Sequence, residues 1–319
     1  MKPLHVVSVV FLLSLANSLV KAADEPSQKA NIERLRERVS QLEIELKAIR
    51  QEFAALNAAL REGAANRSRS SVTQKTLDIK VIDGGWGDAS GPDIRAVCLS
   101  AAQELWKHFP DQTIAPISIR HSDEGPMVIF GRGSGGERRV LLNVSGTYWA
   151  QFAFQFPHEF CHILCNYREA NNPNLWFEES ICEAASLFAM RRMAETWKTN
   201  PPYPNWKSFA VKLSDYAENR IEATKLDQMN LAKWYRQHEE TLRKNGTDRA
   251  KNRVVAVALL GLIEKSPQDW RAVTHLNQWD KGELLSFEAY LADWYRRVPE
   301  QHKPFVADVG NLFAISLSQ

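Results

Sequence analysis

Between residues 32 and 60 the apolar positions Ile32, Leu35, Val39, Leu42, Leu46, Ile49, Phe53, Leu56 and Leu60 recur at gaps of three and four. This is an unbroken heptad seam, and acids and bases fill the positions between, as on the solvated faces of a coiled coil. Residues 27–62 contain no Pro or Gly and are expected to form a coiled coil through which the chain self-associates; a single amphipathic helix packed on the downstream part is the alternative. A mostly apolar run from Leu4 to Val20 precedes it, after Met1-Lys2 and before small residues at 22–23. That layout reads as a signal peptide over residues 1–22, placing the protein outside the cell or in the periplasm, with a retained N-terminal membrane anchor as the other reading. After cleavage no membrane span is expected. Residues 63–75, beginning Gly-Ala-Ala-Asn-Arg-Ser, read as a linker.

From residue 76 the pattern changes period. Leu77, Ile79 and Val81 alternate with Asp78 and Lys80, as in a half-buried strand. Helical spacing follows over 93–109. Strand candidates lie at 114–120, 126–130 and 138–144, separated by Gly-rich loops. A helix begins near Tyr148, and helical patterns fill 175–197, 206–218, 226–244, 250–264, 286–297 and 303–316. Strands set apart from a helical remainder predict an α+β domain over 76–319, with sheet and first long helix in 76–165 and the helical part in 166–319.

Composition narrows the function. The 319 residues are 44% hydrophobic and 24% charged with a net charge of +2, a globular balance. Lys2 and Lys21 fall in the leader region, so the remaining chain is close to neutral, which argues against a nucleic-acid binder. Four cysteines are too few for a disulfide scaffold. Cys182 could bridge to Cys161 or Cys165, or all could be buried thiols.

Residues 157–162 read Pro-His-Glu-Phe-Cys-His. His158 and His162, at i and i+4 on a helix, project from one face and can reach one ion, while Glu159 beside them can work on a water molecule. The rest of that helix is apolar, so these three side chains need partners if buried, and a divalent cation supplies one. Downstream stands Trp176-Phe-Glu-Glu-Ser-Ile-Cys-Glu183. The H-E-x-x-H motif followed by W-x-x-E at the start of a second helix resembles the gluzincin metallopeptidases, the clan of thermolysin and the zinc aminopeptidases.

That resemblance implies Zn2+ held by His158, His162 and Glu179, with Glu159 as general base. Glu183, one turn on, would hold a ligand histidine through its outer N–H. Glu178 is the rival third ligand. The resemblance further implies a small, mostly antiparallel sheet ahead of the zinc helix, with Val140–Val144 as the edge strand that binds an extended peptide. The expected activity is hydrolysis of peptide or protein substrates; the alternative is a catalytically inactive binding or structural module of the cell envelope. The Gly-x-x-Glu-Asn signature of the aminopeptidases is absent, and no motif places the residue that stabilises the oxyanion. Tyr235 and His238 read as ordinary surface of an amphipathic helix.

Overall fold

The computed structural model describes residues 31–43, 46–47, 76–224, 230–279 and 286–317. The chain divides into two units, residues 1–73 and 74–319. In the first, residues 31–43 and 46–47 are helical. Leu35, Val39, Leu42 and Leu46 of the heptad seam are exposed, at 65%, 41%, 49% and 45%. The signal-peptide and linker segments, and the rest of the coiled-coil segment, lie outside the described residues. No helix among the described residues is long and apolar enough to cross a membrane.

The second unit is α+β. Its order is β1 (Ile79–Val81), α1 (Gly91–Trp106), β2 (Ile117–His121), β3 (Met127–Ile129), β4 (Arg138–Leu142), α2 (Trp149–Leu164) and α3 (Leu175–Trp197). There follow α4 (Ala210–Glu222), α5 (Leu231–Lys244), α6 (Arg249–Ile263), α7 (Phe287–Arg297) and α8 (Lys303–Leu312). These elements fall within the strand and helix segments that the hydrophobic pattern predicts, with ends shifted by a few residues.

The sheet differs from expectation. Its order is β1-β2-β4-β3; β1–β2 and β2–β4 are parallel, and only β3–β4 is antiparallel. Two of the three pairings are therefore parallel, not antiparallel. The connections explain this: α1 bridges β1 and β2, and a helix-length crossover is what a parallel pair requires. The chain then turns back through β3 before β4 inserts between β3 and β2. Consequently the segment expected at the edge is flanked on both sides, and Val140 pairs with Ile119 and Val128 at once. The edge strand on that side is β3.

Helix α3 is the hub, packing on α1, α2, α4 and α6. It is buried over nearly its whole length and around most of its circumference, as expected of a helix enclosed on all sides. Ala184, Ala185, Ser186 and Ala189 let neighbours approach, and Ser186 Oγ donates 2.7 Å to the Phe154 carbonyl of α2. Its N-terminus is anchored by an aromatic cluster in which Trp176 lies 4.6 Å from Phe287 and 5.4 Å from Tyr235, ring centre to ring centre. Each such ring removes a large apolar area from water and fixes its neighbours' orientation. The register of α3 against α2 follows from these contacts, and that register builds the site.

Candidate metal centre

Helix α2 carries the motif in a dry setting. Phe152, Phe156 and Phe160 are fully buried on it, and so are Cys161 and Cys165 at its end. Pro157 sits inside the helix, where its ring removes one backbone donor immediately before His158. The helix closes at Asn166, whose φ of 56° lies in the left-handed region, while the Tyr167 N–H donates to the His162 carbonyl. This is a Schellman-type end. It turns the chain so that Tyr167 reaches back over the sheet, and its hydroxyl donates to the Ile129 carbonyl of β3.

His158, Glu159 and His162 are all buried, and the two imidazole centres are 5.0 Å apart. Glu179 comes across from α3: its Oε2 is 3.1 Å from His158 Nε2, and its Oε1 is 3.5 Å from His162 Nε2. His158, His162 and Glu179 thus offer three ligand atoms within 4.8 Å of one another. Glu178, on the neighbouring register position, reaches the opposite side of the same imidazole, with Oε1 2.7 Å from His162 Nδ1. Its other oxygen accepts from Asn277 Nδ2 at 2.6 Å, Asn277 Nδ2 also donates to the Cys165 carbonyl, and the Tyr290 hydroxyl donates to Asn277 Oδ1. A chain of hydrogen bonds therefore runs Tyr290–Asn277–Glu178–His162. It fixes the Nδ1–H tautomer of His162 and leaves Nε2 for an ion.

The carboxylate expected to hold a histidine is elsewhere. Glu183 Oε1 accepts from Arg253 Nε at 2.7 Å, tying α3 to α6, and His158 Nδ1 is buried with no partner. The part assigned to Glu183 is filled by Glu178, because α3 crosses α2 so that adjacent positions 178 and 179 bracket the histidine. Sequence reasoning had Glu178 only as a rival ligand and missed Asn277 and Tyr290. Tyr235 is not surface as expected but packs in the aromatic cluster, away from the metal centre.

The electrostatics follow from burial and from the carboxylates. Burial works against a charged His162, but its bond to Glu178 and the charges of Glu179, Glu178 and Glu159 outweigh this and raise its pKa to about 10. His158 is raised for the same reason, burial again opposing and Glu179 prevailing. Glu179 is held at about 2: burial pushes it up, and the two histidines pull it further down. Protons on the imidazoles and a cation would compete for the same lone pairs. Glu159 differs. Burial raises its pKa, it makes no hydrogen bond or ion pair among the described residues, and it lines a cavity of about 330 Å³.

That cavity is bounded by β3 (Met127, Val128), by Tyr167 and by the start of α6. There the Asp248 side chain caps the helix by accepting from Lys251 N–H, which sets Arg249 in the first turn. Gly246 just before it packs so closely on α3 that a β-carbon would lie 3.1 Å from the Leu175 side chain. Of the two arginines lining the cavity, Arg168 stacks on Trp279 and donates to its carbonyl. Arg249 makes no hydrogen bond among the described residues, and its charge acts on Glu159 and Glu179.

The donor set fits a divalent cation. Two imidazoles and one carboxylate leave a fourth position, and tetrahedral zinc with bonds of about 2.0–2.1 Å separates its ligands by about 3.4 Å. Here Glu179 brings Oε2 to 3.1 Å of His158 Nε2 and Oε1 to 3.5 Å of His162 Nε2, and one ligand atom from each of the three residues lies within 4.8 Å of the others. No protein-family model, no curated protein and no solved structure matches the chain.

Proposed function

We propose that the protein is a zinc-dependent peptidase of gluzincin type, with His158, His162 and Glu179 as metal ligands and Glu159 as general base. The observation that carries this reading is Glu159: a buried carboxylate with a raised pKa and no partner, opening into the cavity beside the three ligands. A carboxylate with only a packing role would be paired. Zinc, when bound, supplies Lewis acidity to a water molecule and to the substrate carbonyl. Glu159 takes a proton from the water and passes it to the leaving nitrogen, a task that a carboxylate pKa moved toward neutrality serves. Glu178 holds His162 in the required tautomer, and Arg249 offers its guanidinium to the carbonyl oxygen as charge develops there. An extended peptide would pair with β3 rather than with β4; since the Tyr167 hydroxyl already occupies the Ile129 carbonyl, pairing is confined to the Met127 end.

The test is degradation of an unstructured protein such as casein by the wild type and by Glu159→Gln at equal metal content. The expected outcome is cleavage by the wild type and a loss of at least about a hundredfold in the variant, the scale of a lost acid–base group. Bound zinc with no cleavage by either protein would favour the non-catalytic binding module instead. In both readings the exposed heptad positions serve self-association, and export would place the protein in the cell envelope or beyond.

A further inference from the structure

Three of the chain's four cysteines meet at one point in the core. Cys161 and Cys165 stand one turn apart on α2 and Cys182 stands on α3; all three are 0% exposed. Their sulfurs lie within 4.8 Å of one another, with Cys161 Sγ 3.9 Å from Cys165 Sγ. Cys98, on α1, is outside this group. None of the three has a part in the hydrolysis proposed above.

We propose that this cluster is a cross-linking site, in which a disulfide between Cys182 and one of Cys161 or Cys165 joins α2 to α3 and the remaining thiol stays beside it. Helix geometry makes Cys182 the obligate partner. Residues at i and i+4 keep their β-carbons about 5–6 Å apart, whereas a disulfide needs about 3.5–4.5 Å. Cys161 and Cys165 cannot join without unwinding the helix that presents both histidines. Across the two helices no such helical constraint applies, and the Cys182 sulfur stands within 4.8 Å of both others.

A soft metal ion is the competing occupant of this point. Three thiolates around a monovalent or divalent cation leave net negative charge in a pocket closed to water, which is costly without a positive partner. A disulfide is neutral and apolar, and it suits such a pocket.

The chemistry balances with a small disulfide such as oxidised glutathione as oxidant. One cysteine thiolate attacks it, forming a mixed disulfide and releasing one glutathione thiolate that takes up the proton. The second cysteine then attacks the mixed disulfide at the protein sulfur and releases the other glutathione. Two protein thiols are oxidised and one glutathione disulfide is reduced to two thiols. The product ties the helix bearing His158 and His162 to the helix bearing Glu179, whether or not the site hydrolyses peptides.

The experiment refolds the full chain from its reduced, unfolded state in oxidising and in reducing glutathione buffers. Each product is then denatured and its thiols are alkylated and counted by mass. Because the bond forms during folding, burial in the native state does not limit access. The oxidised product is expected to take up two alkyl groups and the reduced product all four of the chain's cysteines' worth. Fragmentation should join Cys182 to Cys161 or Cys165, and reduction should lower the melting temperature by roughly 5–10 °C. Cys98→Ala should keep the bond and Cys182→Ala should abolish it. Four alkylated cysteines after oxidising refolding would overturn the proposal. So would a bond between Cys161 and Cys165 or one to Cys98, or Cu(I), added as a probe to the reduced chain, held by all three thiols in preference to the bond.

Discussion

Glu178, Glu179 and Glu183 are three acids on one helix, and their partners separate three roles. Glu179 faces both imidazole Nε2 atoms, Glu178 faces His162 Nδ1, and Glu183 faces Arg253. The difference is measurable. Glu178→Gln keeps the shape but removes the charge that fixes the His162 tautomer, so zinc affinity should fall about 10–100-fold, as for other outer-shell partners. Glu183→Gln should leave zinc affinity unchanged and cost about 1.5–3 kcal/mol of stability, the range for a charged hydrogen bond. Competition with a chromophoric chelator reads the first and urea unfolding the second. The reverse pattern would restore the role that the sequence resemblance implied for Glu183. The two histidines and Glu159 were legible because a helix of known period places i and i+4 together whatever else the chain does. The outer partners were not, since they depend on how α3 crosses α2 and on Asn277, an asparagine with a φ of 58° nearly a hundred positions beyond Glu179 in the fold's loop region. No local pattern marks such a residue.

At the scale of elements, the segments themselves were legible and their arrangement was not. Leu77, Ile79 and Val81 mark a strand by alternation, but alternation is silent on which strand lies beside it. The sheet was expected to be mostly antiparallel with residues 140–144 at its edge; insertion of β4 between β2 and β3 reverses both expectations. The edge strand is therefore Met127–Ile129, the one proposed above to pair with a peptide, whose short apolar run gave no such sign. The heptad seam makes its own prediction. Leu35 and Leu42 are exposed apolar residues on a helix whose other faces are charged, an arrangement that burial against a second copy would stabilise. Sedimentation velocity should find the full-length wild type as an oligomer. The double variant Leu35→Asp, Leu42→Asp should be monomeric with unchanged activity, because like charges would face each other across the seam. A monomeric wild type would leave the seam as a single amphipathic helix.

For the whole molecule, the fold and the centre explain each other. Helix α3 is enclosed by four helices and locked at its start by Trp176, so its acids cannot drift from the histidines of α2. The sheet and Tyr167 wall the cavity on one side and the capped start of α6 walls it on the other. A net charge of only +2 fits recognition by cleft shape and strand pairing rather than by overall charge. Zinc bound per chain, read by native mass spectrometry of the purified protein, is the most direct test of the proposed centre. One zinc is expected in the wild type and in Glu159→Gln, and none in His158→Ala or His162→Ala that remain folded by circular dichroism. A wild type that holds no zinc after dialysis against it, or zinc retained at full occupancy in both histidine variants, would contradict it.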